Sequence, residues 1–105
     1  MSLKKRELSA SLVGGYTSEG LQKDGERGTF EATFTGLSSS VNAHLEQSVD
    51  GENYQKIPES DASLESGQTI QIWNDDITPR GTMLRIVVES AASGTINGIK
   101  LLSNG

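Results

Sequence analysis

Strict two-residue alternation, in runs too short and too often broken by glycine to wind into helices, constrains this chain most. Residues 29–35 (TFEATFT) put Phe30, Ala32 and Phe34 on one side and threonine and glutamate on the other, the pattern of a strand with one buried face. The stretch 41–57 repeats it, with Val41, Ala43 and Leu45 alternating with Asn42, His44 and Glu46. Asp50-Gly51 then supplies turn chemistry, since aspartate tolerates a left-handed backbone and glycine takes positive φ freely. Residues 53–57 resume as a return strand, and Pro58 closes it by removing a backbone donor. A β-hairpin is expected here.

Further strands follow the same logic. Residues 7–13 place Leu8, Ala10 and Leu12 on one face before Gly14-Gly15 frees the backbone. Residues 17–28 are polar and glycine-rich, a long surface loop with one short paired segment at most. The stretch 59–66 offers only Ala62 and Leu64 as anchors. In 68–73, Ile70 and Ile72 point one way and Thr69, Gln71 and Trp73 the other. Residues 83–89 are apolar on both faces, as a central strand should be. The last strand, 95–102, carries Gly98 as an expected bulge. No helical period persists over two turns. The turn spacing predicts an all-β chain, an antiparallel β-sandwich of jelly-roll type with about seven or eight strands and no substantial helix.

A chain of 105 residues is one domain's worth. Only 33% of it is apolar, so the core must be thin and efficiently layered. The basic cluster Lys4-Lys5-Arg6 reads as a flexible N-terminal arm over residues 1–6, with a single sandwich domain over 7–105. No apolar segment follows that cluster, so it is not expected to be a signal peptide. No apolar run approaches the ~20 residues of a membrane-spanning helix. There is no cysteine, which excludes disulfides and thiolate metal sites. The net charge of −5 repels phosphate backbones, so neither a nucleic-acid nor a membrane partner is expected.

The chemistry-bearing residues are scattered. His44 is the only histidine and has no nucleophile near it in sequence, so it reads as a surface side chain. Asp50, Glu52 and Asn53, and Asn74, Asp75 and Asp76, are oxygen-rich, but Asx side chains in turns bond their own backbone, and calcium-loop spacing is absent. No metal or cofactor is expected, and no catalytic residue. Tyr54 and Trp73 are the aromatics able to form a stacking platform for a sugar.

One motif looks familiar. Leu45-Glu46-Gln47-Ser48-Val49-Asp50-Gly51-Glu52-Asn53-Tyr54, continuing to Ile57, resembles a hairpin of small jelly-roll virion proteins of tailed bacteriophages: head-decoration, head-fibre and tail-associated components. It is also similar in part to galactose-binding-like (discoidin-type) modules. Met83-Leu84-Arg85-Ile86-Val87-Val88 fits the strand that pairs back into such sandwiches. The match covers residues 45–88, under half of the chain, and it is a structural hairpin, which bears on fold more than on function. The phage resemblance implies a non-enzymatic virion protein, located in the particle. It also implies a homo-oligomer, trimer favoured, seated on other virion proteins of the capsid or tail. Lys4, Lys5 and Arg6 would then contact an acidic capsid or a neighbouring subunit. The galactose-binding-like alternative implies a glycan ligand at Tyr54 and Trp73.

Overall fold

The computed structural model describes all 105 residues, and each alternating stretch contains a strand, some shorter than the alternation itself. The strands are β1 (Ser2–Ser11), β2 (Tyr16–Thr17), β3 (Leu21–Gln22), β4 (Arg27–Thr35), β5 (Val41–Ser48), β6 (Gln55–Lys56), β7 (Ala62–Leu64), β8 (Ile70–Asp75), β9 (Met83–Val88) and β10 (Thr95–Asn104). There is no helix. One sheet runs β1-β10-β4-β8. In the other, β9 and β5 are central, flanked by β2 and β3 on one side and by β6 and β7 on the other. All pairings are antiparallel.

The ten segments occupy eight ranks, four in each sheet, because the two edges of the second sheet are each split into short pieces. Rank by rank, β1 pairs with β10, β2 and β3 with β9, β4 with β8, and β5 with β6 and β7. That is one long hairpin folded across itself, which is the jelly-roll wrap.

Between the sheets lies a core of 19 buried apolar residues. It is built from the inward positions of the long strands: Phe30 and Phe34 of β4, Leu45 of β5, Leu84 and Ile86 of β9, and Ile96, Ile99 and Leu101 of β10. Each such side chain removed from water contributes about 1.5–3 kcal/mol before entropy is counted. Gly98 sits at the expected irregularity, where the registers of β10 with both β1 and β4 shift.

The hairpin forms as its sequence dictates. Ser48 Oγ donates to Asp50 Oδ1 at 2.7 Å, and Oδ1 also accepts the amides of Glu52 and Asn53 at 2.8 Å each. Gly51 takes φ 78°. The return strand is shorter than expected, only Gln55–Lys56. Beyond it, the Ser60 amide donates back to the Ile57 carbonyl. Pro58 fixes the second position of this turn, so Glu59 takes the left-handed third, at φ 63°.

Two expectations are corrected. The segment 1–6 is not a flexible arm: from Ser2 onward it is the first half of β1, paired to β10 from Ser2↔Ser103 to Arg6↔Ile99. The sandwich therefore starts before residue 7. The stretch 17–28 is not a plain surface loop either. It supplies parts of β2, β3 and β4 and carries Lys23, whose side chain is fully buried.

Candidate functional site

The basic cluster is largely committed to the fold. As the outermost strand of its sheet, β1 lies beside the chain between β2 and β4. Lys4 Nζ is 3.1 Å from Asp24 Oδ2, and Arg6 is 3.0 Å from Glu19. Ser2 Oγ also donates to Asp24 at 2.9 Å. The Lys4 hydrogen bond, followed by that of Ser2, holds the Asp24 carboxyl below the usual aspartate value. These contacts close one open side of the sandwich. Lys5 is exposed, pairs across the ladder with Lys100, and alone of the three cations has no carboxylate partner. Beside it runs a groove of about 470 Å³ lined by Lys5, Arg6, Glu7, Leu8, Tyr16 and Glu19.

Trp73 and Tyr54 do not form a platform. Trp73 belongs to β8 and points between the sheets, only 8% exposed. Its indole N–H donates to the Ser60 carbonyl at 2.7 Å, and its ring meets Phe30 edge-on with centroids 6.1 Å apart. Tyr54 precedes β6, in the other sheet. The pairing of these two residues as a sugar site is therefore corrected: one ring is core, and the other serves a different face.

What Tyr54 does join escaped the sequence reading. The Arg85 guanidinium lies 3.7 Å above the Tyr54 ring centroid and donates to Glu46 Oε1 through Nε at 2.9 Å and Nη2 at 2.7 Å. His44 Nε2 lies 3.2 Å from the other Glu46 oxygen. Burial pushes the Glu46 carboxyl up, but the hydrogen bonds from Arg85 and His44 and their charges outweigh it and leave the group below its ordinary value. The chain Tyr54–Arg85–Glu46–His44 crosses the outer face of β9 and β5. Its basis is the cross-strand register Glu46↔Arg85, which no local pattern announces.

The acidic turns are occupied by their own backbone, as expected of Asx residues. Asp50 also accepts from the Asn53 side chain at 2.8 Å, and these bonds hold its carboxyl far below the ordinary aspartate value. Asp75 Oδ1 accepts the amides of Ile77 and Thr78, while Oδ2 takes the Thr78 hydroxyl and Lys23 Nζ. No group of three or more His, Asp or Glu side chains sits together as a metal cage would require.

Lys23 is the second residue the sequence reading missed. Its ammonium donates to the carbonyls of Asp75 at 2.9 Å and Thr78 at 2.8 Å, and lies 3.3 Å from the Asp75 carboxylate. It ties the β8–β9 loop to the end of the sandwich.

Turning Trp73 inward has a consequence for its strand. Ile70 and Ile72 face solvent, 49% and 50% exposed, on the outer face of β8 at the edge of its sheet. They stand beside Thr33 and Glu31 of β4.

The chain is thus a small jelly-roll β-sandwich whose polar clusters chiefly fasten strands and turns, with an apolar pair left out on one edge. No family model matches it, and no curated protein matches its sequence. Solved structures do match. A crystal structure of PirA superposes with a TM-score of 0.51 over 95% of this chain and 93% of its own length, at 7% identity. At that identity the likeness concerns the fold.

Proposed function

We propose that this chain is a non-enzymatic structural protein of a bacteriophage virion, a decoration- or fibre-type component that acts by self-association and attachment. The observation that carries the reading is the exposed isoleucine pair on the outermost strand β8, an apolar surface without a partner within the chain. Burial of such surface between chains contributes about 25 cal/mol per Å² before the costs of association. The motif-bearing hairpin supports the same family of folds. Its serine, aspartate and asparagine are mutually bonded, so the motif is a device for making the turn.

Attachment falls to Lys5, the one cation of the cluster without a carboxylate partner. Mass spectrometry of density-purified particles from cells expressing the gene tests this reading. The chain is expected in the particle band at a fixed copy number, with occupancy reduced by Lys5→Glu and by high salt, which screens surface charge. Recovery only in the soluble fraction overturns the proposal. The carbohydrate-binding alternative has lost the ring it most needed, since Trp73 is packed against Phe30.

A further inference from the structure

Four ranks of the two sheets are edges, and three are guarded. The edges of the second sheet are broken into pieces of two or three residues, β2 with β3 and β6 with β7. Long β1 carries Lys4, Lys5, Arg6 and Glu7 in its middle. Short edges and charged side chains are the usual means of stopping strands from pairing with other chains. β8 is six residues long and its one charge, Asp75, is buried at its end: from Ser66 to Asn74 no residue is charged, and no proline interrupts.

The direction of its free backbone groups follows from one bond. The Phe34 amide donates to the Thr69 carbonyl at 2.8 Å. In an antiparallel ladder, inward and outward groups alternate, so Thr69, Gln71 and Trp73 turn theirs to β4 while Ile70, Ile72 and Asn74 turn theirs outward. Two side chains agree with this assignment. Gln68 Nε2 donates to the Ile70 carbonyl at 2.9 Å, and Gln71 Nε2 to that of Ile72 at 3.3 Å. Uncharged amides cover the outward carbonyls, and they are readily exchanged for another strand.

We infer that β8 pairs antiparallel with β8 of a second copy of this chain, about a twofold axis at Gln71. This rests on the self-association part of the reading above and not on the virion part. The register is set by chemistry. With Gln71 opposite Gln71 of the second copy, Ile70 lies opposite Ile72 and Ile72 opposite Ile70. All four isoleucines then share one face of a continuous eight-stranded sheet. Asp75 falls opposite Gly67 and Asp76 opposite Ser66, so two chains of net charge −5 meet along a neutral strand with no carboxylate facing another. A register centred on Ile72 would set Ile72 opposite Ile72 but leave each Ile70 opposite Asn74, so fewer isoleucines would meet. The twofold edge gives a dimer where the phage resemblance implied a trimer.

The chain has no cysteine, so Gln71→Cys creates a single-thiol probe at the axis, a non-hydrogen-bonded pair whose Cα atoms approach to about 4.5 Å, within disulfide reach. Mild oxidation of this variant should yield disulfide dimers, while Val49→Cys, at an exposed site in the hairpin turn, should not. Adding Ile72→Lys to Gln71→Cys should lower the dimer yield about tenfold, since each lysine would stand opposite Ile70 of the second copy and diagonally beside its lysine, breaking the apolar face and setting like charges about 7–8 Å apart. The unaltered chain gives an independent readout. The Ile70 and Ile72 amides should exchange hydrogen freely at low concentration and become protected as concentration rises. Equal disulfide yields from both cysteine variants, or amides whose exchange ignores concentration, overturn the inference. Particle recovery reports separately on the virion reading.

Discussion

Lys23 shows how much one side chain can hold at the end of a thin sandwich. Its ammonium is fully buried, and its partners are two carbonyls and the Asp75 carboxylate. Removing the cation leaves a buried anion uncompensated, so Lys23→Met should cost about 3–5 kcal/mol in denaturant unfolding. Asp75→Asn in that background should recover part of the loss, because a neutral amide needs no counter-charge. If the double variant is less stable than Lys23→Met alone, the pairing account is wrong. Acid gives a second handle. Asp75 and Glu46 both sit below their ordinary values of 3.8 and 4.5: for each, burial raises the carboxyl and its hydrogen bonds and nearby cations lower it further. A depressed folded pKa stabilises fully above the unfolded value and is lost as pH falls through the folded one. The melting temperature should therefore hold level down to about pH 5 and decline below 4.5. A rise on acidification would contradict the assignment. At this scale the sequence told part of the story. The Asx turns at Asp50 and Asp75 were legible because their partners lie within three residues. Lys23 was not, because it sits in a polar, glycine-rich stretch and its partner is far along the chain.

Among the elements, β1 separates a mobile arm from an edge strand most clearly. Both carry charge runs, the arm because it is solvated and the edge because charges deter pairing. Lys4-Lys5-Arg6 is consistent with either. Only the pairing with β10 and the bridges to Asp24 and Glu19 decide for the strand. Deleting residues 1–6 removes the pairs from Ser2↔Ser103 to Arg6↔Ile99. At about 0.5–1.5 kcal/mol net for each lost hydrogen bond, the deletion should destabilise the sandwich by roughly 2–5 kcal/mol. Thermal unfolding unchanged by the deletion would restore the arm. The strands β4 and β5 were legible in outline because a strand with one buried face writes period 2 into its sequence, and β9 because its apolar run on both faces suits a central strand. β8 was legible as a strand but not in orientation. Ile70 and Ile72 on one face and Trp73 on the other are both apolar, and only the position of the opposite sheet selects the tryptophan as core.

For the whole molecule, alternation identifies strands and turns but is silent on partners. The eight ranks, the folded-over hairpin and the cross-strand cluster of Glu46 with Arg85 all depend on pairings between distant segments, which appear only when the chain is folded. We propose a jelly roll that works through its surfaces, with β8 as the contact between copies. Native mass by light scattering, across a wide range of protein concentration, tests that account most directly. It predicts a mass rising from the 11.2 kDa of one chain to twice that value as concentration increases. A mass fixed at one chain throughout that range would contradict it.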